Sequence, residues 1–143
     1  MLRRVSLLVG LLVLLSACHV GVKVGNSSST TSGPPRILNA VLSTDYQDGK
    51  AVGVTTTFSP SDTFHAVVTV ANSTPDTKVK AAWTAVDAGG VQDHPIDSKE
   101  VTVAQDGAVD FTLSLPHAWP TGRYKADIFL NGNLDRSLEF SVQ

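Results

Sequence analysis

The sequence predicts an all-β domain folded as a two-sheet sandwich of seven to eight short strands, and three observations predict it. From Arg36 onward apolar residues fall at every second position within short runs, the period that puts one face of a strand on a core and the other in water. Turn-forming pairs separate the runs: Asp48-Gly49, Asp106-Gly107 and Asn131-Gly132 tolerate the positive φ angles of tight hairpins. No window of comparable length repeats its apolar residues at the three-and-four spacing of a helix.

The first two strands are expected at 36–44 and 51–58, joined across Asp48-Gly49. Strand 63–71 points Phe64, Ala66, Val68 and Val70 one way, with His65, Val67 and Thr69 opposite. Strand 78–86 alternates Val79, Ala81, Trp83 and Ala85 with Lys78, Lys80, Ala82 and Thr84, and Ala88-Gly89-Gly90 breaks the chain after it. A strand at 97–103 precedes Asp106-Gly107, and 108–115 follows with Val109, Phe111, Leu113 and Leu115 on one side. After a break at 116–122, strand 122–130 carries Tyr124, Ala126, Ile128 and Leu130 inward. Asn131-Gly132 returns it directly to 134–142, with Leu138, Phe140 and Val142. That many strands in about 108 residues suits two packed sheets.

The N-terminal region follows a different rule. Arg3 and Arg4 precede an apolar run, residues 5–15, interrupted only by Ser6 and Gly10. The run is too short to span a bilayer and reads as an export signal. It ends in Leu15-Ser16-Ala17-Cys18, which resembles the lipobox of bacterial lipoproteins. The resemblance implies that residues 1–17 are a signal peptide and that Cys18 becomes an acylated (palmitate-type) N-terminus held in a membrane. Two or more acyl chains anchor stably where one does not. His19 stands where an Asp would favour retention at the inner membrane, so the resemblance leans toward the outer membrane in a host that has one. Residues 18–35, rich in Gly, Ser and Thr and closing on Gly33-Pro34-Pro35, are expected to be a flexible tether with a span of roughly 20–25 Å. Residues 36–143 form the domain.

Charge and cysteine content narrow the functional classes. Losing Arg3 and Arg4 leaves nine Lys and Arg against thirteen Asp and Glu, a net charge of −4. No basic stripe exists to hold a phosphate backbone, so nucleic acid is not an expected partner. Cys18 is the one cysteine, so no intramolecular disulfide exists and packing must stabilise the domain.

Two aromatics add a resemblance. Trp83 faces inward on the third long strand, and Tyr124 opens the penultimate strand after Pro120-Thr121-Gly122-Arg123. In these places immunoglobulin-like domains keep a core tryptophan and a tyrosine corner. The stretch from Trp119 to Gly132 and the closing Leu138-Glu139-Phe140-Ser141-Val142 are similar to the end of bacterial extracellular immunoglobulin-like modules. The resemblance implies an immunoglobulin-like sandwich and carries almost no functional information, because that fold hosts unrelated activities.

Candidate sites are few. The four histidines, His19, His65, His94 and His117, show no metal-ligand spacing, and no metal or other cofactor is expected. Asp93, His94 and Asp97 cluster around Pro95 and read as a solvated turn with at most loose cation binding, and His65 as a surface residue. No serine has the context of a nucleophile elbow, so the chain is not expected to be an enzyme. Trp119 is a candidate partner contact if exposed and a core cap if folded under. The outward face of the sheet formed by strands 78–86, 122–130 and 134–142 is the second candidate. It offers Lys80, Ala82, Thr84, Val86, Lys125, Asp127 and Phe129, an apolar centre with a charged rim. The function that follows is an envelope lipoprotein acting as a non-catalytic binding or assembly module, its partners the membrane and another envelope protein rather than a small ligand. Two alternatives stay open: an immunoglobulin-like protease inhibitor working through end loops, and a carbohydrate or cell-wall binder using Trp119 and Tyr46.

Overall fold

A computed structural model describes residues 33–143, so the signal peptide, Cys18 and most of the tether lie outside the described residues. Nine strands follow in order: β1 (Arg36–Gln47), β2 (Lys50–Val54), β3 (Thr57–Phe58), β4 (Phe64–Ala71), β5 (Lys78–Ala88), β6 (Val91–Thr102), β7 (Gly107–Leu113), β8 (Gly122–Leu130) and β9 (Asn133–Val142). They form a four-stranded sheet, β2-β1-β4-β7, and a five-stranded sheet, β3-β9-β8-β5-β6. Every pairing is antiparallel except β3 with β9. The all-β sandwich expected from alternation is the fold.

The alternation fixes the core. Phe64, Ala66, Val68 and Val70 of the first sheet meet Val79, Ala81, Trp83, Ala85, Tyr124, Ala126, Ile128, Phe140 and Val142 of the second, all buried. Phe64 sits among the rings of Phe58, Trp83, Trp119, Tyr124 and Phe140, with centroid separations from 4.5 to 6.4 Å. These are the offset and edge-on distances at which aromatic pairs add to simple burial.

Two strands depart from expectation. The segment 51–58, expected as one strand, divides: β2 pairs with β1, and β3 crosses to pair with β9. Between them the Thr55 hydroxyl donates to Thr57 O, and the Ser141 N–H donates to Thr56 O. The chain changes sheets there, which a period-two pattern does not reveal. The second departure corrects the solvated-turn reading of Asp93, His94 and Asp97, which lie inside β6 as it pairs with β5. Pro95 is tolerated because β6 is the last strand of its sheet, where a missing N–H costs no ladder bond. A register shift opposite Trp83 and Thr84 takes up the irregularity.

Tyr124 forms the corner its position implied. Its hydroxyl donates to Pro120 O at 2.6 Å, and burial raises its pKa above the ordinary 10.0. Gly122 makes the approach possible: at φ +144°, a Cβ there would collide with Asp87 O and Ala88. At the opposite end Asp106 accepts the Ser73 N–H at 2.7 Å. That bond, then one from the Asn72 N–H, holds its carboxyl below the ordinary 3.8.

Two predictions follow from this packing. Trp119→Ala removes a ring stacked on Phe64 and lowers stability by about 3–5 kcal/mol, whereas Tyr124→Phe costs about 1–2 kcal/mol by leaving Pro120 O unpaired; urea titration followed by tryptophan fluorescence measures both. A carboxyl with a lowered folded pKa stabilises fully above its unfolded value and loses that contribution as pH falls through the folded one. Stability therefore declines on acidification below about pH 4, and Asp106→Asn flattens that decline in thermal melts taken across pH 2–5.

Candidate functional site

The second sheet turns one face to solvent, and strand register sets its layout. Lys80, Phe129 and Leu134 stand in one row across β5, β8 and β9; Ala82, Asp127 and Ser137 in the next; Thr84, Lys125 and Glu139 in the third. The outward residues expected from sequence, Lys80, Ala82, Lys125 and Phe129 among them, thus lie on one face, each half-buried. Leu134, which alternation did not single out, extends the apolar centre beside Phe129 and is 57% exposed. A shift of register between Ile128 and Phe129 brings it there, and only the pairing could have revealed it.

The charges on this face are organised around the apolar centre. Lys80 Nζ lies 4.1 Å from the centroid of the Phe129 ring, a cation–π contact. Lys125 Nζ is 2.9 Å from an Asp127 carboxylate oxygen; that hydrogen bond and charge raise the Lys125 pKa above the ordinary 10.5, keeping it cationic. Asp127 also accepts the Ser137 hydroxyl. The rim is pre-ordered, so a partner meets fixed side chains and loses less entropy on binding.

Trp119 lies elsewhere and inside. It is 4% exposed, stacked on Phe64 at 4.5 Å, with its Nε1–H given to Asp62 O at 3.0 Å and its N–H to Pro60 O at 2.8 Å. The indole caps the end of the core, and both of its N–H groups are spent. It offers no free side chain to a partner, which removes the exposed-anchor reading.

The Trp119 end does contain a groove of about 270 Å³, lined mainly by Ala85, Ala88, Val91, Ile96, Leu115 and Pro120, with His94 and His117 at its wall. Sequence reasoning placed the two histidines in separate loops; the β5–β6 hairpin and the β7–β8 connection bring them to one concavity. His117 Nδ1 is 3.0 Å from Ala118 O, and no Asp, Glu, Ser or Cys lines the groove. It has no carboxylate to orient a base and no nucleophile for one to activate. Among the described residues, no three His, Cys, Asp or Glu are grouped to hold a metal ion.

His65 is not the free surface residue expected. On the outer face of the first sheet its Nδ1 stands 2.8 Å from Asp110 Oδ2, each side chain 14% exposed, and Thr112 donates to the same oxygen at 2.9 Å. Ser43 is the register partner of His65, so Ser, His and Asp meet on one face. Ser43 is fully buried, however, and its hydroxyl is given to Asp45 O at 2.9 Å. Without access or a bond to the imidazole it cannot act as an activated nucleophile.

Comparison with solved structures bears on the architecture. An immunoglobulin-like protein from Pseudomonas aeruginosa matches 79% of this chain and 99% of its own length, at 15% identity and a TM-score of 0.56. The fold is immunoglobulin-like. At that identity the likeness concerns fold alone. An alkylpurine DNA glycosylase from Pseudomonas fluorescens, solved bound to DNA with an abasic-site analog, matches 79% of this chain at 11% identity and a TM-score of 0.49. This chain covers 31% of that enzyme's length, and the match carries no functional argument. No protein-family model matches, and no curated protein matches the sequence.

Because the sheet face lies outside the core, altering it should spare the fold. Lys80→Ala and Phe129→Asp are each expected to shift the urea midpoint by the equivalent of less than about 1 kcal/mol, with near-UV circular dichroism unchanged.

Proposed function

We propose that this protein is an envelope lipoprotein whose immunoglobulin-like domain is a non-catalytic binding module, engaging another envelope protein through the outer face of the second sheet. One observation carries the reading: Phe129, Leu134 and Ala82 form an apolar centre ringed by Lys80, Lys125, Asp127 and Glu139. Aromatic anchors inside a polar rim are the pattern of a protein contact. Asp127 and Lys125 neutralise each other, which favours a partner that supplies apolar area and hydrogen bonds over one selected by bulk charge.

The anchor is the lipobox cysteine, Cys18, and it confines the search for that partner to one membrane surface. The carbohydrate alternative weakens, since Trp119 is covered and Tyr46, half-buried at the end of β1, is left as its aromatic. The inhibitor alternative requires an end loop that is both exposed and rigid; the β7–β8 connection is held by the Trp119 bonds to Pro60 and Asp62 with Pro116, His117 and Ala118 exposed, so this alternative stays open.

In-cell crosslinking of the tagged full chain, followed by mass spectrometry, tests both parts. Cys18→Ala is expected to move the protein from the membrane to the soluble fraction. Phe129→Asp is expected to leave it in the membrane while abolishing capture of its dominant partner. Capture that survives Phe129→Asp unchanged means that the binding surface is elsewhere.

A further inference from the structure

One side of β9 is covered over only a small part of its length. The strand runs from Asn133 to Val142, and its neighbour on that side, β3, pairs with Ser141 and Val142 alone. The Ser141 N–H donates to Thr56 O at 2.9 Å and the Gln143 N–H to Phe58 O at 3.0 Å. Main-chain groups point to alternate sides along a strand, so those of Glu139 and Ser137 point the same way, beyond the reach of β3. Among the described residues no strand pairs with them there. Free N–H and C=O groups in a row are a template for another strand.

Beside this edge lies a groove of about 270 Å³, where β1 and the end of β2 face β9. Ala40, Leu42, Val54 and Leu138 make its apolar lining, with Ser137 and Glu139 at its rim. Val54 is 61% exposed, and Leu138 is only partly buried against the core. Arg136, just before Ser137 in β9, is committed: it donates to Ile37 O at 3.2 Å and to Asp135 at 2.6 Å. Glu139, the charged residue of the lining, makes no ion pair among the described residues, because its register partner Lys125 is held by Asp127. The edge thus offers main-chain hydrogen bonds, apolar area and one uncompensated negative charge.

We propose that the groove beside β9 takes an extended segment of the partner protein, added as a short strand on Ser137 and Glu139, with a Lys or Arg opposite Glu139 and an apolar residue on either side of it. Successive side chains of a strand point to opposite faces. A basic residue beside Glu139 therefore sends its two neighbours into the groove, over Leu138 and Ala40. Main-chain bonds supply affinity in such an addition, and the alternate side chains supply specificity. A pair of opposite charges directly across two strands favours the matched register. Glu139 also belongs to the row of Thr84 and Lys125 on the outer face, so the edge continues that surface. The inference rests on the reading of the domain as a protein-binding module and names how the partner's chain is held.

The test uses a blocked synthetic peptide, Ser-Val-Lys-Val-Ser, added to the full chain in mild detergent and followed by amide chemical shifts and hydrogen exchange. The peptide is expected to shift the Ser137 and Glu139 amides and, near saturation, to slow their exchange at least about tenfold. A peptide with glutamate in place of the lysine should bind about tenfold more weakly, and a chain carrying Glu139→Lys should reverse that order. Partner capture that is lost with Phe129→Asp while the peptide fails leaves the sheet face standing and removes the added strand; the converse leaves the strand and removes the face. No binding, shifts confined to other residues, or the same order of the two peptides in both chains overturns the proposal. So does slow exchange of the Ser137 and Glu139 amides before any peptide is added, since the chain itself or a second copy then fills the edge.

Discussion

The packing of Phe64 against rings from the opposite sheet is the contact on which the structure depends. Phe64 comes from β4 in the first sheet; Trp83, Tyr124 and Phe140 come from three strands of the second, and Phe58 from the short strand beside them. Phe58 also meets Phe140 edge-on at 5.4 Å, and Tyr124 stacks on Phe140 at the same distance. The domain has no disulfide to join its sheets, since Cys18 is the sole cysteine and lies outside them. This ring cluster takes the inter-sheet role that a cystine has in antibody domains. The Tyr124 corner and the Trp119 cap then follow as ways of sealing the cluster at its open end.

That economy determines what is left for the surface. With both tryptophans and four of the five phenylalanines drawn inward, Phe129 is the one phenylalanine free to meet a partner. The exposed apolar centre of its face, inside a charged rim, is the composition of a protein contact. The groove at the Trp119 end has concavity, and its two histidines stand there without an Asp, Glu, Ser or Cys in the lining. Form therefore divides between one end that is structural and one face that is available.

Legibility in the sequence followed locality. Alternation located the strands because a side chain's face depends on its own parity, and Asn131-Gly132 gave the β8–β9 hairpin because its turn is local. The jump of the chain at Thr55 and Thr56 from one sheet to the other was not legible, because it leaves the alternation intact. The strand identity of Asp93 to Asp97 was hidden by Pro95, whose cost depends on whether a neighbouring strand needs its N–H. Burial of Trp119 depends on Pro60 and Asp62, far away in sequence. His65 with Asp110, Leu134 beside Phe129, and the meeting of His94 with His117 all arise from register or from loops converging at one end. No single-sequence signal carries those pairings. The outward set on the second sheet was legible because it needs only parity and the choice of strands sharing a sheet.

The central claim is that the outer face of the second sheet, and not the outer face of the first, meets the partner. The most direct measurement places a photo-crosslinking side chain at Ala82, in the middle of that face, and separately at Thr69, which is half-buried on the outer side of the first sheet. Both are carried by the intact, membrane-bound chain. The account predicts one dominant crosslinked product from position 82 and none from position 69. The same product from position 69, or none from position 82 while the partner is still recovered by a general crosslinker, would contradict it.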